Sequence, residues 1–441
     1  MGCATLLSTI SMPCGAAAEA AAVFARAEAA DTGRSIGVHE NSSPIGTDPH
    51  EASEHQPLPV SADLSLKSIV DHALAQAPDR LALAGAAAEL ATWNARGRRL
   101  LAGNPALSFR YQTDRFNDDL GIEEIESGLE LPIWRWGERA ATRRYGEQLD
   151  EAVAASTAVL RWTVAGAVRD VLHELNRAEL ELQAMTRISA QAQRVHEAVA
   201  RQQALGDASR HELLLARSSM LQAQSAQLDA EAALLDAQIA YRSLVGLPLR
   251  PPPVAEPEHP GIELPETHPL LTWHGTRVAE ASAKLAMLRK GAGGNPTLHV
   301  GPRRERGAAE LPFEDSIGVT LRVPLGGSLY PTPGMAEAER ALGEAQAARD
   351  KARRALQLDW HEARHELEVA TRRLQLARQQ GELAEATSEM NGIAYQRGEL
   401  DLFDYLRLEA ATSTQLLALH RAEADYLRAV AYRNQILGDT P

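Results

Sequence analysis

Residues 138–202 read ERAATRRYGEQLDEAVAASTAVLRWTVAGAVRDVLHELNRAELELQAMTRISAQAQRVHEAVARQ, and this run decides the fold. Ala141, Tyr145, Leu149, Ala152, Ser156, Leu160, Val164 and Val168 recur at steps of three or four. The series continues through Val171, Leu175, Ala178, Leu182, Met185, Ile188, Ala192, Val195 and Val199. That is the helical period. Only Gly146 and Gly166 interrupt it, and no proline does. At 1.5 Å per residue, roughly 65 residues make a rod of about 100 Å. A single globular core has no use for such a rod, whereas a coiled coil or a tube does.

Working outward from this rod, the chain is written twice. Pro78 precedes Asn104-Pro105 by 26 positions, and Pro269 precedes Asn295-Pro296 by 26. Pro132 to Gly206 and Pro324 to Gly398 are both 74 residues; Gly206 to Gly246 and Gly398 to Gly438 are both 40. Leu131-Pro132-Ile133 recurs as Val323-Pro324-Leu325. The expected organisation is a first repeat over 64–247, a Pro-rich connector over 248–268, a second repeat over 269–438 and a tail over 439–441. Each repeat reads helix, two strands, very long helix, Gly turn, helix. The first helix is expected over Leu64–Leu101.

The strand pairs alternate cleanly. Leu107, Phe109 and Tyr111 alternate with polar residues, as do Ile125, Leu129 and Leu131 with Glu124, Glu126 and Glu130. In the second repeat Leu298 and Val300, then Val319, Leu321 and Val323, face away from His299, Thr320 and Arg322. Period two gives one apolar and one polar face. The charged stretches Asp114–Gly121 and Arg303–Glu314 read as loops between paired strands. Four such strands cannot close a barrel, for which about eight are needed. The strands are therefore expected to be shared between copies of the chain, with Glu124, Glu126, Glu130 and Arg322 facing water and the aliphatic set facing lipid or a neighbouring apolar surface.

Composition agrees. Aromatic residues are 4% of the 441, the net charge is −14, and no basic block stands in the sequence, so a nucleic-acid partner has no electrostatic footprint. No run of 18 apolar residues suggests a transmembrane helix, but barrel strands escape such scans. Cys3 and Cys14 are the only cysteines. Residues 1–27 are read as a signal segment ending near Ala25-Arg26-Ala27, and 28–63 as disordered or extended. Cys14 is a lipidation candidate. His361-Glu362-Ala363-Arg364-His365 spells a metalloprotease pattern, but it falls within a coiled rod with no cleft. No catalytic, metal or cofactor residue is expected, and the chain is read as a non-enzyme.

The duplicated unit of helix, Asn-Pro, strand pair, Pro, long helix, Gly turn and terminal Leu-Gly resembles the TolC-like outer-membrane efflux factor family over Leu64–Gly438. The segment Gly128-Leu-Glu-Leu-Pro-Ile-Trp-Arg-Trp-Gly-Glu-Arg-Ala-Ala141 resembles its heavy-metal branch. Tyr395-Gln-Arg-Gly398 followed by Asp404-Tyr-Leu406 is also family-like. The resemblance implies a homotrimer with a 12-stranded barrel in the outer-membrane lipid of a Gram-negative bacterium and a helical tube in the periplasm. It implies a periplasmic adaptor and an inner-membrane RND-type pump as partners. Gly206, Asp207, Gly398 and Glu399 are expected at the adaptor-docking tip, and Tyr395, Asp401, Asp404 and Arg407 at the gate. The family carries paired aspartates there; Arg407 stands in the second position. The cargo is read as metal cations, with organic compounds or secreted polypeptides as the alternative. A soluble coiled-coil scaffold is the alternative of another class.

Overall fold

The computed structural model describes residues 58–325 and 332–441. The signal segment, Cys14 and residues 28–57 lie outside the described residues. The elements in order are α1 (Leu66–Gln76), α2 (Arg80–Arg98), β1 (Ala106–Thr113), β2 (Glu123–Pro132), α3 (Glu138–Leu205) and α4 (Arg210–Val245). The second repeat supplies α5 (Pro269–Gly291), β3 (Thr297–Arg306), β4 (Glu314–Arg322), α6 (Pro333–Gln396) and α7 (Leu402–Ile436). The helix expected over Leu64–Leu101 is in fact two. Ala77 leaves the helical region at ψ 125° because the Pro78 ring crowds the residue before it.

The 68-residue α3 and 64-residue α6 run the length of the body. Near the strands, neighbours follow the order α2–α3–α5–α6; at the far end they follow α4–α3–α7–α6. The main core lies where α1 packs into α3 and α4. Ile69, Val70 and Ala73 meet Val164, Ala165, Val168 and Leu172, with Tyr241 and Val245 closing the cluster. Fully burying side chains of this size contributes about 1.5–3 kcal/mol each.

The connector after α4 carries no helix or strand; Arg250 bridges the backbone of Pro59 and Ser61, and beyond it side chains make the ties. Arg169, 3% exposed on α3, donates Nε and Nη2 to both oxygens of Glu256 at 2.9 and 2.8 Å. Its Nη1 donates to Gln435 and to the Asp439 carbonyl. Asn434 accepts from His259 N and donates to the Pro257 carbonyl. One guanidinium thus ties the connector to the end of the chain. At the connector's end His268 caps α5, its Nδ1 accepting from Leu270 N at 3.1 Å, with Pro269 at the first helical position.

The four strands form one antiparallel sheet in the order β1–β2–β3–β4, so β2 of the first repeat pairs with β3 of the second. The loop expected from Arg303 begins later, because Arg303 to Arg306 are strand. Their charges have partners across the sheet. Arg306 reaches Glu123 at 3.0 Å, Arg303 reaches Glu124 at 3.1 Å, and Arg304 reaches Asp315 at 3.6 Å.

Candidate functional site

The sheet separates its side chains by face. Leu107 pairs with Leu129, Leu129 with Val300 and Val300 with Val319, an aliphatic row crossing all four strands. Leu131, Leu298 and Leu321 form the next row. This face is open: Leu107 is 87% exposed, Ile317 80% and Val319 65%. Alternation puts Glu124, Glu126, Glu130 and Arg322 on the other face. There Arg303 contacts Glu124, and His299 Nδ1 lies 3.5 Å from Glu126. The two predicted sets of strand residues therefore occupy opposite faces. β1 and β4 are the sheet's edges, and among the described residues neither has a second strand partner.

At the other end two helical hairpins turn. Gly206 follows α3 at φ 87°, where its N–H donates to Gln203 O and the Asp207 N–H to Gln202 O. Gly398 repeats this at φ 75°, with Gly398 N to Tyr395 O and Glu399 N to Ala394 O. A left-handed residue closing the last carbonyls is why glycine stands at both turns. Ser209 then caps α4 in a reciprocal box with Glu212, at 3.2 and 2.6 Å. Glu212 is held below the usual carboxylate range by the N–H and hydroxyl of Ser209. Asp401 caps α7, its Oδ1 accepting from Asp404 N at 2.8 Å.

The gate candidates have three different settings: Tyr395 stacks on Tyr405, a residue outside the expected set, Asp404 pairs with Arg407, and Asp401 caps α7. Tyr395 and Tyr405 stack with centroids 4.7 Å apart, and Gln191 of α3 donates to the Tyr405 hydroxyl at 3.1 Å. Burial pushes both phenols up. Tyr405 belongs to a cluster with Val195, Val199, Ala216 and Leu402, which joins the two hairpins at the tip. Asp404 and Arg407 point to solvent and pair with each other at 3.1 Å within one chain. Asp401 is occupied as a helix cap. Gly206, Asp207, Gly398 and Glu399 are exposed at the turns. His361 and His365 are exposed along α6. Among the described residues no cluster of His, Cys, Asp and Glu could hold a metal ion, and no helix is long and apolar enough to cross a membrane.

The sequence reading missed two further stripes. Leu214, Leu221 and Leu228 of α4 stand exposed at seven-residue spacing, as do Leu376, Leu383 and Met390 of α6. A seven-residue apolar repeat is a coiled-coil seam. Here α4 and α6 are the two outer helices of the layer, so both seams face outward. A second stripe lying outside the first seam of each helix was the readable signal.

No family model and no curated sequence matches the chain. Solved structures do. The outer membrane protein VceC from Vibrio cholerae superposes with a TM-score of 0.68 at 15% identity, over 85% of this chain and 96% of that one. A membrane protein from Pseudomonas aeruginosa gives 0.66 at 17% identity, over 93% and 97%. The CmeC outer membrane channel of Campylobacter jejuni gives 0.63 at 15% identity, over 92% and 94%. The chain has the TolC-like channel fold, with long helices and four antiparallel strands.

Proposed function

We propose that three copies of this chain close into one tube that serves as a passive exit duct through the outer membrane of a Gram-negative bacterium. The observation that carries this reading is the matching incompleteness of the layer's two sides. The sheet ends in unpaired β1 and β4, and the helices end in exposed apolar seams on α4 and α6. Unequal edges that meet head to tail generate a ring when the rotation between copies closes. Three chains then supply twelve strands, enough for a barrel with an open lumen. The exposed aliphatic rows face lipid, and the Glu124–Glu126–Glu130 face lines the water-filled interior. No chemistry is assigned to the duct.

On the same reading the two glycine turns are the end that meets a periplasmic adaptor, with an inner-membrane RND-type pump beneath. The resemblance of Gly128–Ala141 to the heavy-metal branch supports metal cations as cargo. Mass measurement and planar-bilayer recording of the full chain extracted in mild detergent test the duct. A trimer that conducts is expected. A folded, salt-extractable monomer that forms no channel would overturn the reading in favour of a coiled-coil scaffold.

A further inference from the structure

Where the sheet passes into the helices, the fold assembles a charge pattern that neither segment shows alone. Arg96 and Arg98 end α2, and Arg99 follows. Arg139 and Arg143 of α3 reach back to that end: Arg139 donates to the Gly97 and Arg98 carbonyls at 3.2 and 2.8 Å, Arg143 to Gly97 O at 3.0 Å. These contacts use carbonyls and leave the positive charges uncompensated. Arg144 follows Arg143 in α3 and is exposed, and the Arg135 side chain at the strand exit donates to the Pro324 carbonyl at 3.5 Å. None of these arginines forms an ion pair among the described residues. Of the acids nearby, Glu138 is 6% exposed and accepts from the Arg135 backbone, Glu89 of α2 accepts from Trp93 and Tyr145, and Glu147, one turn beyond Arg143, forms no ion pair with these arginines among the described residues. In a chain of net charge −14, this rim is strongly basic.

The rim is also apolar in a particular way. Trp136 is 96% exposed, Leu100 83% and Leu325 88%. Arg96 lies over the rings of Trp93 and Trp134 at 5.7 and 5.9 Å, and Trp134 donates to the Arg99 carbonyl. The open aliphatic rows of the sheet end here. Two internal comparisons set the rim apart. In the second repeat the corresponding Arg289 is neutralised by Glu339 at 2.7 Å. At the sheet's opposite end Arg304 and Arg306 are paired with Asp315 and Glu123.

We propose that this rim binds the phosphate headgroups of anionic phospholipid in the periplasm-facing leaflet, an inference that rests on the duct reading above. Tryptophan with its ring at headgroup depth marks a membrane–water interface. Guanidinium groups match phosphate with paired N–H donors. Each basic residue near an anionic surface strengthens attachment about five-fold, screened beyond a Debye length. The headgroup is thus the counter-charge that the protein does not supply itself.

The test uses the full chain reconstituted into vesicles carrying either dibrominated phosphatidylglycerol or dibrominated phosphatidylcholine, each diluted with the other lipid unbrominated. Bromine quenches the exposed tryptophan, and a Trp136→Phe control identifies that signal. Phosphatidylglycerol should quench with an apparent preference of at least about five-fold. An Arg98→Gln/Arg99→Gln/Arg144→Gln variant should bring the ratio close to one, and so should high salt. These side chains are exposed and unpaired, so the variant should remain folded. Equal quenching by both lipids, a preference retained in the variant, or a Trp136 that neither lipid reaches because a neighbouring copy covers it, would each overturn the inference. Flotation with the vesicles after an alkaline wash is read first. A chain that does not float overturns the duct reading as well, whereas one that inserts without preference overturns this inference alone.

Discussion

His268 is fully buried, with its ring edge-on to Trp162 at 5.1 Å and its Nδ1 spent as a helix cap. Burial pushes its pKa down to about 4 from 6.5, against a weaker opposing pull from the Ile436 carbonyl. The unfolded chain therefore binds a proton between these values that the folded chain refuses. Stability should fall as pH drops from about 6.5 toward 4, by up to about 3 kcal/mol from this residue. Burial lowers His173 and His274 in the same direction. The thermal midpoint of wild type should drop more steeply over that window than that of His268→Asn, which keeps a cap acceptor. Parallel curves would refute the assignment. Asp404 and Arg407 present the opposite case, an exposed pair worth under about 1 kcal/mol to folding. Their substitution can be read as a change in pore charge and not as damage. Threefold symmetry would gather three such pairs around one axis, where charge acts on passing ions. Asp404→Ala should weaken cation selectivity in single-channel recordings, and Arg407→Ala should raise the open fraction. Unchanged conductance in both would remove the pair from the gate.

Among the elements, the connector depends on Arg169 more than on any secondary structure. Arg169→Met would leave the half-buried Glu256 with only the 3.5 Å contact from Asn434, a loss of up to about 3 kcal/mol. Protease cleavage within 248–268 should then precede global unfolding; unchanged protection would show that the connector holds by other means. The strands make a test of register. A cysteine at Glu126 or Glu130 should react with a membrane-impermeant thiol reagent in intact vesicles, and one at Leu129 or Val319 should not. An arginine at Leu129 should cost about 2–4 kcal/mol if that face meets lipid. The alternation that defines these faces stands openly in the sequence, because period two needs only local reading. The extent of β3 does not. Arg303 to Arg306 look like a loop until Glu123 and Glu124, about 180 positions earlier, are seen across the sheet. The break before Pro78 was local and readable, but helical periodicity on both sides hid it.

At the scale of the molecule, the duplication, the long rods and the tip glycines were legible because matched Pro and Gly intervals survive where side chains vary. The basic rim was not, since Arg98 and Arg139 come from segments some forty residues apart and neither is a block by itself. The seams on α4 and α6 were missed for a related reason: a helix that buries one stripe and offers another looks simply apolar until the first stripe is accounted for.

The open edges of the sheet have a genetic consequence. On the proposed trimer no barrel exists until all three chains contribute their strands, so one defective subunit disables the two sound ones beside it. A variant that still associates but cannot line a continuous lumen should be dominant over wild type. With equal expression and random mixing, only about one assembly in eight would be wholly wild type. A variant that fails to associate at all would instead be silent in the same cell, its healthy counterparts assembling without it.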